Sequence, residues 1–223
     1  MREQGRHMSL SDNKHLSAIL LAAGESRRMG TVNKLTLPIA GTPLLRRTAE
    51  TLARSGLAEL VVVVGYEQEV TRELLQGIPA RIVYNEAYSE GQMTSVYQGL
   101  AALNEPCKGV MICLSDQFLL DMDDIGTIAR GFARCPTSIM VPVYKGQRGN
   151  PVVLAYQHRE AILADRRNLG CKRLIEKNPD LVTALEMPND HVLIDLDTPE
   201  AYANAERLLF EAARAPAAIT MMG

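Results

Sequence analysis

The segment of residues 21–30 combines glycines with cations and carries the strongest chemical signal in the chain. It reads LAAGESRRMG, and Lys34 follows it closely. An apolar run over residues 18–22 leads into it, and open α/β sheets bind their ligands where parallel strands end. Backbone N–H groups of such a turn can meet phosphate oxygens, while Arg27, Arg28 and Lys34 supply full positive charge. The pattern predicts a binding site for a polyphosphate.

Two better-known phosphate motifs do not match this loop. The dinucleotide fingerprint requires GxGxxG, whereas Gly24 and Gly30 stand six residues apart. The P-loop requires a lysine directly after its second glycine, and Thr31 occupies that position. The sequence therefore disfavours a Rossmann dehydrogenase and a P-loop ATPase. The remaining alternative is a surface loop whose arginines face water.

Carboxylates in two further segments could hold a divalent cation. An apolar run over residues 110–114 leads to Asp116. We therefore expect Asp116 at the carboxyl edge of the sheet, beside the glycine-rich segment of residues 21–30, which is the first loop. Asp195 and Asp197 point to one face of an extended segment, so both could approach one metal ion. Mg²⁺ takes few carboxylates and otherwise binds water and substrate phosphates. The alternatives are an ordinary loop carboxylate at Asp116 and helix capping by Asp195 or Asp197.

Alternating apolar and amphipathic stretches indicate the elements that must position these residues. From Ser17 onward the alternation is typical of βαβ units around a mostly parallel sheet that is buried on both faces. We predict strands at residues 18–22, 60–64, 81–84, 110–114, 138–144 and 151–155. We predict helices at residues 43–55, 67–76, 94–103, 122–133, 157–164, 172–177 and 199–213.

Glycines and prolines mark several of the predicted ends. Gly56 and Gly77 are expected to end helices, and Pro43 and Pro199 to stand at first helical positions. Pro142 lies near the middle of a predicted strand. It favours an edge position or a bulge there, because proline cannot donate a hydrogen bond to a neighbouring strand.

The composition is that of an ordinary globular protein. The chain has 223 residues, 47% hydrophobic and 22% charged, which predicts one α/β domain over residues 17–214 between disordered tails at 1–16 and 215–223. A net charge of −2 without long runs of like charge argues against a nucleic-acid partner, and the apolar runs are too short for a membrane span. Four scattered cysteines favour reduced thiols in a cytoplasm.

The sequence LAAGESRRMG followed by NKLTLPIAGTPLLRR resembles the opening of the nucleotidyltransferases that build activated sugars, isoprenoid precursors and molybdenum cofactors. Within that superfamily the chain is most similar to the molybdenum cofactor cytidylyltransferase group, and the resemblance extends over nearly all of residues 18–202. It implies a single-domain, Rossmann-like α/β fold with a mostly parallel central sheet and helices on both faces. It further implies transfer of a nucleoside monophosphate with release of pyrophosphate.

The resemblance also assigns roles to individual residues. The loop would wrap a triphosphate whose charge is bound by Arg28 and Lys34, and Mg²⁺ would be held by Asp116 and by a second ligand near Asp195. We favour Asp197 as that second ligand because it directly precedes a helix cap. Catalysis is then assigned to Arg28, Lys34 and Asp116. The expected nucleotide-binding residues are Leu21, Ala22, Ala23, Gly24, Glu25, Ser26, Arg27, Arg28, Met29, Gly30, Lys34 and Ser95.

One position in the loop favours CTP over GTP. The guanylyl-transferring relatives usually carry a second glycine where Ala23 stands, and the cytidylyl-transferring ones resemble the LAAG of this chain. A methyl group at Ala23 would narrow the space beside the nucleobase. The resemblance therefore implies CTP as the nucleotide.

Three later segments resemble parts of the group that lie near bound substrates. Ser95 follows GQMT at a predicted helix start, where capping is an equal alternative. The turn with Arg148, Gly149, Asn150 and Pro151 resembles an Arg-Gly-His-Pro segment associated with the acceptor, with Asn150 in place of histidine; a plain hairpin turn is the alternative. Arg173 would complete the acceptor site unless it is an ordinary solvated helix charge.

These expectations combine into one main hypothesis and two alternatives. The main hypothesis is a cytoplasmic, Mg²⁺-dependent enzyme that moves CMP from CTP onto a small phosphorylated acceptor, with molybdopterin or molybdenum cofactor favoured. The first alternative applies the same chemistry to a sugar phosphate, an isoprenoid phosphate or a phosphonate. The second is a non-catalytic accessory protein that carries nucleotide or cofactor for a molybdoenzyme. The expected protein partner, if one docks, is a molybdoenzyme or a chaperone.

Overall fold

The computed structural model describes residues 13–30, 32–164 and 175–214, and the side chain of every residue in them except the last. Its strands are β1 (Leu16–Ala22), β2 (Pro38–Ile39), β3 (Thr42–Pro43), β4 (Leu60–Val64), β5 (Arg81–Tyr84), β6 (Gly109–Leu114), β7 (Ile139–Tyr144), β8 (Gln147–Arg148), β9 (Val152–Ala155) and β10 (Val182–Glu186). Its α-helices are α1 (Leu44–Arg54), α2 (Gln68–Leu74), α3 (Gln92–Ala102), α4 (Met122–Arg134), α5 (Arg159–Ala164) and α6 (Pro199–Arg214).

Most described strands form one sheet in the order β10-β7-β9-β6-β1-β4-β5, and β8 pairs with β7. The pairs β1–β4, β1–β6, β4–β5 and β7–β10 are parallel. Strand β9 runs antiparallel to both β6 and β7. The predicted α/β fold with a mostly parallel sheet is therefore confirmed.

The central strands are apolar apart from Ser17 because helices cover both faces of the sheet. All seven residues of β1 are buried, and so are all five of β4. Along β1, Leu20 packs into a core shared with α1 and α4, whereas Ile19 packs into a second core shared with α3. The close approach of α3 needs Gly99, since a Cβ there would lie 2.4 Å from Ile19 Cγ2.

The predicted signals at element ends are borne out in part. Gly56 and Gly77 follow α1 and α2 with φ of +70° and +79°, the left-handed conformation that ends helices. Pro43 is the residue before α1 and not its first helical residue. Pro199 does begin α6.

The expectation of an edge strand at Pro142 is wrong. Strand β7 lies inside the sheet, between β10 on one side and β9 and β8 on the other. The carbonyl of Pro142 accepts from Gly149 N at 2.8 Å, in the gap where the pairing passes from β9 to β8. In a strand the N–H and C=O of one residue face the same side. The nitrogen of Pro142, which carries no hydrogen, therefore faces this gap, and no hydrogen bond between paired strands is lost.

The predicted N-terminal tail ends earlier than expected. Leu16 already belongs to β1 and pairs with Gly109, and the carbonyl of His15 accepts from Lys108 N at 2.8 Å. Asn13 is buried and donates through its side chain to Ser55 O. These polar contacts were invisible to a search for apolar runs. Residues 1–12 and 215–223, which hold the remainder of both predicted tails, lie outside the described residues.

No helix in the described part of the chain is both long enough and apolar enough to cross a membrane.

Candidate active site

A cavity of about 580 Å³ opens where β1 and β6 end at the carboxyl edge of the sheet. The first loop forms one wall, α3 and the 3-10 turn before it form another, and the segments after β6 and before α6 supply carboxylates. Its lining residues are Leu21, Ala23, Gly24, Glu25, Ser26, Arg27, Arg28, Met29, Lys34, Leu35, Tyr88, Ser89, Gln92, Ser95, Leu114, Ser115, Asp116, Asp195 and Asp197.

The first loop exposes backbone as well as charge to this cavity. A Cβ at Gly24 would meet no atom within 4 Å, so the backbone there is open to a ligand. Ser26 has φ of +55° and Gly30 of +71°, which bends the chain around the short 3-10 turn Arg27–Met29. Side chains of Arg27 and Arg28 are 78% and 72% exposed, so both can reach an incoming anion.

Lys34 is held in place by its neighbours. The side chain of Asn33 accepts from Leu35 N at 3.0 Å and thereby caps the 3-10 turn Lys34–Thr36. Leu35 is 2% exposed and anchors that turn in the core. The backbone N–H of Lys34 donates to Ser26 Oγ at 3.3 Å. The backbone of Lys34 is thus tied to both the core and the first loop.

The ammonium group of Lys34 joins the two carboxylates that were predicted to bind metal. Lys34 Nζ lies 2.6 Å from Asp116 Oδ2 and 2.6 Å from Asp197 Oδ1. Arg28 pairs with the other oxygen of Asp197, at 2.7 Å. The side chains of Lys34, Asp116 and Asp197 are each less than a fifth exposed. The structure therefore brings Arg28, Lys34, Asp116 and Asp197 into one cluster.

Electrostatics in this cluster favour a protonated lysine. Burial alone would lower the pKa of Lys34, but the charges of Asp116 and Asp197 and the hydrogen bonds to them raise it above its ordinary value. Partial burial and the negative charges of Asp197 and Asp116 raise the pKa of the Asp195 carboxyl, although Lys34 and Arg28 act in the opposite direction.

One carboxylate oxygen of the cluster fits a metal ligand. Asp116 Oδ1 is buried and has no hydrogen-bond partner among the described residues. A buried anionic oxygen is costly unless it is paired, so a cation that approaches through the cavity would stabilise it. Asp195 and Asp197 offer further oxygens in the same cavity. A donor set made only of oxygens suits a hard divalent cation.

Hydrogen bonds from neighbouring segments fix Asp116 relative to Asp197. Leu196 N donates to Asp116 O at 3.0 Å, which joins the two acidic segments directly. Gln117, only 2% exposed, donates through Nε2 to Val192 O at 3.0 Å and to Asn150 O at 3.2 Å. Sequence reasoning missed this role of Gln117, because its partners are backbone carbonyls that any residue type would supply.

The family model described as MobA-like NTP transferase domain matches residues 18–184 of this chain. The chain belongs to that family. It is a nucleotidyltransferase, and the cavity at the carboxyl edge of the sheet is its candidate active site.

Individual relatives cover nearly the whole chain at modest identity. The nicotine blue oxidoreductase of Paenarthrobacter nicotinovorans is 27% identical over 86% of this chain and 97% of its own length. The molybdenum cofactor guanylyltransferase of Mesorhizobium japonicum is 26% identical over 88% of this chain and 97% of its own. The crystal structure of the Rv0371c homologue from Mycobacterium sp. strain JC1 is 25% identical, with a TM-score of 0.75 over 90% of this chain and 98% of that one.

Ser95 of the nucleotidyltransferase lines the cavity but does not cap a helix. It is the fourth residue of α3, whose first turn is preceded by Gly91 without a side-chain cap, so the capping alternative is wrong. Its hydroxyl accepts from Asn85 Nδ2 at 2.9 Å, and Thr94 accepts from the same amide at 2.7 Å. Tyr88, Ser89 and Gln92 also line this wall, and the sequence predictions had not assigned them to the site.

Several predicted site residues lie elsewhere. Ala22 is 1% exposed and packs into the core, and neither it nor Gly30 is among the described lining residues. The same holds for the whole turn of residues 148–151. In that turn Arg148 is an exposed residue of β8, and a Cβ at Gly149 would lie 2.4 Å from Val192 O. Arg173 lies outside the described residues.

A second acidic group near α4 has a structural task. Asp121, Asp124 and His191 have potential metal-binding atoms within 4.8 Å of one another. However, Asp124 Oδ1 already accepts from Asn189 Nδ2 at 3.0 Å, and Oδ2 pairs with His191 Nδ1 at 2.7 Å. Asp121 and Asp124 also form the capping box of α4. The group joins the start of α4 to the turn that precedes the acidic segment.

Proposed function

We propose that this nucleotidyltransferase moves CMP from CTP to a small phosphorylated acceptor, with molybdopterin or molybdenum cofactor as the favoured acceptor, in a reaction that depends on Mg²⁺. The observation that carries the proposal is the single cavity in which Arg28 and Lys34 face Asp116 and Asp197 at ion-pair distances. Cations for a triphosphate and carboxylates for a metal lie side by side there.

The chain's own residues divide the work of the transfer. An acceptor phosphate oxygen attacks the α-phosphorus of CTP, a new P–O bond forms, and the bond to the β-phosphate oxygen breaks so that pyrophosphate leaves. Such a reaction depends chiefly on positioning and on neutralising charge. Backbone N–H groups of the first loop, together with Arg28 and Lys34, would bind the departing pyrophosphate. When bound by Asp116 and Asp197, Mg²⁺ would neutralise phosphate charge at the reacting centre.

Support for CTP comes from Ala23. This residue is 4% exposed, lines the cavity, and its Cβ would lie 2.8 Å from a Cβ placed on Gly65. The methyl group of Ala23 therefore packs tightly against Gly65, and the residue lines the cavity. A methyl group fixed in this way cannot move aside for a larger base, which favours a pyrimidine.

Support for the acceptor comes from the relatives. One of them is named a molybdenum cofactor guanylyltransferase, which shares the proposed acceptor and differs in the nucleotide. The same chemistry with a sugar phosphate, an isoprenoid phosphate or a phosphonate is the second candidate. Its support is a feature of the sequence: Asn150 stands where the resembled group has histidine, and an amide and an imidazole differ in charge and donor pattern near neutral pH. Asn150 does not line the cavity in the structure. The arrangement of two cations and two carboxylates in one cavity disfavours a carrier without catalysis.

The test is pyrophosphate release by the purified protein with each of the four nucleoside triphosphates and a panel of acceptors. We expect release with CTP, Mg²⁺ and a molybdopterin acceptor, and little with the same acceptor and GTP. Release with GTP and the acceptor, but not with CTP and the acceptor, would overturn the assignment of CTP as the nucleotide. Release only with a sugar, isoprenoid or phosphonate acceptor would establish the second candidate instead.

A further inference from the structure

Lys34 and Arg28 already pair with the two carboxylates that a metal ion would use. Its Nζ lies 2.6 Å from one oxygen of Asp116 and 2.6 Å from one oxygen of Asp197, and Arg28 takes the second oxygen of Asp197 at 2.7 Å. Of the four oxygens on these two carboxylates, only Asp116 Oδ1 has no partner among the described residues. A cation of the chain therefore lies between the two proposed metal ligands.

A divalent cation that binds both carboxylates must displace this ammonium group. Mg²⁺ requires oxygens at roughly 2.0 to 2.1 Å in near-octahedral geometry. The lysine nitrogen bridges the same pair of side chains, so both cations would lie within a few ångströms of each other. Two positive charges at such a separation in a partly buried site repel strongly. The lysine must give up at least one carboxylate when the metal enters.

The displaced ammonium group needs a new anionic partner, and the cavity offers one position for it. The backbone of Lys34 is fixed by the buried Leu35 and by its bond to Ser26, so only the flexible side chain can move. Glu25 of the first loop is already paired with Arg27. Asp195 also lines the cavity, but it is itself one of the predicted metal ligands. The remaining partner is the ligand, since a triphosphate in the first loop would place its oxygens beside Ser26 and Lys34.

We propose that Lys34 is a displaceable internal cation that makes the binding of metal and nucleoside triphosphate mutually dependent. Without nucleotide, Lys34 holds Asp116 and Asp197 together and excludes the metal. With nucleotide, Lys34 moves to the phosphates and the metal takes its place between the carboxylates. The inference rests on the proposed function, because it requires that a triphosphate and a divalent cation share this cavity.

Linkage makes the inference measurable. If triphosphate strengthens metal binding by some factor, metal strengthens triphosphate binding by the same factor. Removal of the lysine charge should change the two affinities in opposite directions. The variant should bind triphosphate more weakly and should bind the metal alone more tightly than wild type does. A lysine that merely binds phosphate would give the first effect without the second.

The experiment measures Mn²⁺ binding by electron paramagnetic resonance at pH 8, with and without a non-hydrolysable CTP analogue, for wild type, Lys34→Met and Lys108→Met. Lys108 is the matched control, since it is an exposed lysine directly before β6, at the opposite edge of the sheet, and does not line the cavity. We expect Lys34→Met to bind Mn²⁺ alone about 10-fold more tightly than wild type, and to lose most of the coupling to nucleotide. Lys108→Met should bind Mn²⁺ alone as wild type does.

The outcomes separate this inference from the proposed function. If wild type binds neither the analogue nor Mn²⁺ in its presence, the proposed function itself fails. If wild type binds both and Lys34→Met binds Mn²⁺ alone no more tightly, the displaceable cation is refuted while the function stands. A gain as large in Lys108→Met would also refute it, because the effect would then follow from the loss of any positive charge. Lys34→Gln provides the same comparison if the methionine variant does not fold.

Discussion

At the scale of single residues, the site brings opposite charges together across large distances in sequence. Lys34 is 82 positions from Asp116 and 163 from Asp197, yet its ammonium group contacts both. The sequence predicted that Arg28, Lys34, Asp116 and Asp197 would share one site, because each follows or precedes an element that ends at the same edge of the sheet, but it also placed Arg148 there, which does not line the cavity. It did not predict that the lysine would bridge the carboxylates, since that contact depends on the paths of three separate loops.

Asp116→Asn tests the proposed metal ligand directly. The exchange nearly conserves size and shape but removes charge, so we expect the fold to persist and nucleotidyl transfer to fall by about 100-fold or more. Asp197→Asn should behave similarly, and Asp195→Asn should be milder because Asp195 makes no ion pair with Lys34 or Arg28 among the described contacts. Pyrophosphate release and thermal melting measure the two effects. Asp123→Asn, an exposed residue in the first turn of α4, is the control; transfer by Asp116→Asn at the control rate would remove Asp116 from the chemistry.

Ala23→Gly tests whether Ala23 determines the preference for CTP over GTP. Since Ala23 lines the cavity and its methyl group is held by packing against Gly65, we expect wild type to be stabilised more by CTP with Mg²⁺ than by GTP, and the glycine variant to lose that difference. A saturating ligand far above its dissociation constant stabilises by roughly 2 to 4 kcal/mol, which thermal melting resolves easily. A larger shift with GTP than with CTP in the wild type would contradict the assignment of CTP.

At the scale of elements, continuous apolar runs made most strands and helices predictable. Strands β4 and β5 have the predicted bounds, α4 and α6 differ from prediction by one residue at one end, and α1 differs by one residue at each end. Strand β10 was missed, because Thr183 interrupts its apolar residues and the strand lies at an edge of the sheet, where its residues are only half-buried or exposed. The acceptor site at the turn of residues 148–151 was predicted from its resemblance to a known segment alone. In the structure this turn packs on Val192 and accepts a hydrogen bond from Gln117.

Gln117→Met tests whether this contact between elements positions the carboxylates. The variant keeps the volume of the side chain but removes both hydrogen bonds, which leaves the partly buried carbonyl of Asn150 without this donor and should cost about 1 to 3 kcal/mol of stability. Because the segment after Val192 carries Asp197, we expect kcat to fall by more than KM rises. Gln147→Met, an exposed position in β8, is the matched control. A loss of stability with an unchanged kcat would reduce Gln117 to a packing role.

At the scale of the whole molecule, the candidate active site lies at one edge of the sheet, whereas the apolar cores that stabilise the fold lie on both faces. Two separate apolar cores, one under α1 and α4 and one under α3, hold β1 and β6 rigidly. Their carboxyl ends deliver the first loop and Asp116 to the same cavity. The acidic segment before α6 is joined to this scaffold by the buried Val192 and Leu196, by the ion pairs of Asp197 and, in the turn before it, by the pair of His191 and Asp124. The stability of the molecule should therefore report on that pair.

His191→Gln tests the pair through the pH dependence of unfolding. Burial would lower the pKa of His191, but its hydrogen bond to Asp124 and the negative charges of Asp124, Asp121 and Asp190 raise it above its ordinary value. A pKa that is higher in the folded than in the unfolded state adds stability that is fully present below the unfolded pKa, about 6.5, and is lost as pH rises through the folded pKa.

Wild type should thus exceed His191→Gln in free energy of unfolding by about 1.5 to 3 kcal/mol near pH 5.5, the range for a charge-assisted hydrogen bond, and by less at pH 9. Urea unfolding across this pH range measures the difference, and Asp124→Asn should abolish its slope because the histidine then lacks its anionic partner. A difference that stays constant or grows toward pH 9 would mean that His191 is held neutral, and that its contact with Asp124 stabilises the start of α4 without any contribution from charge.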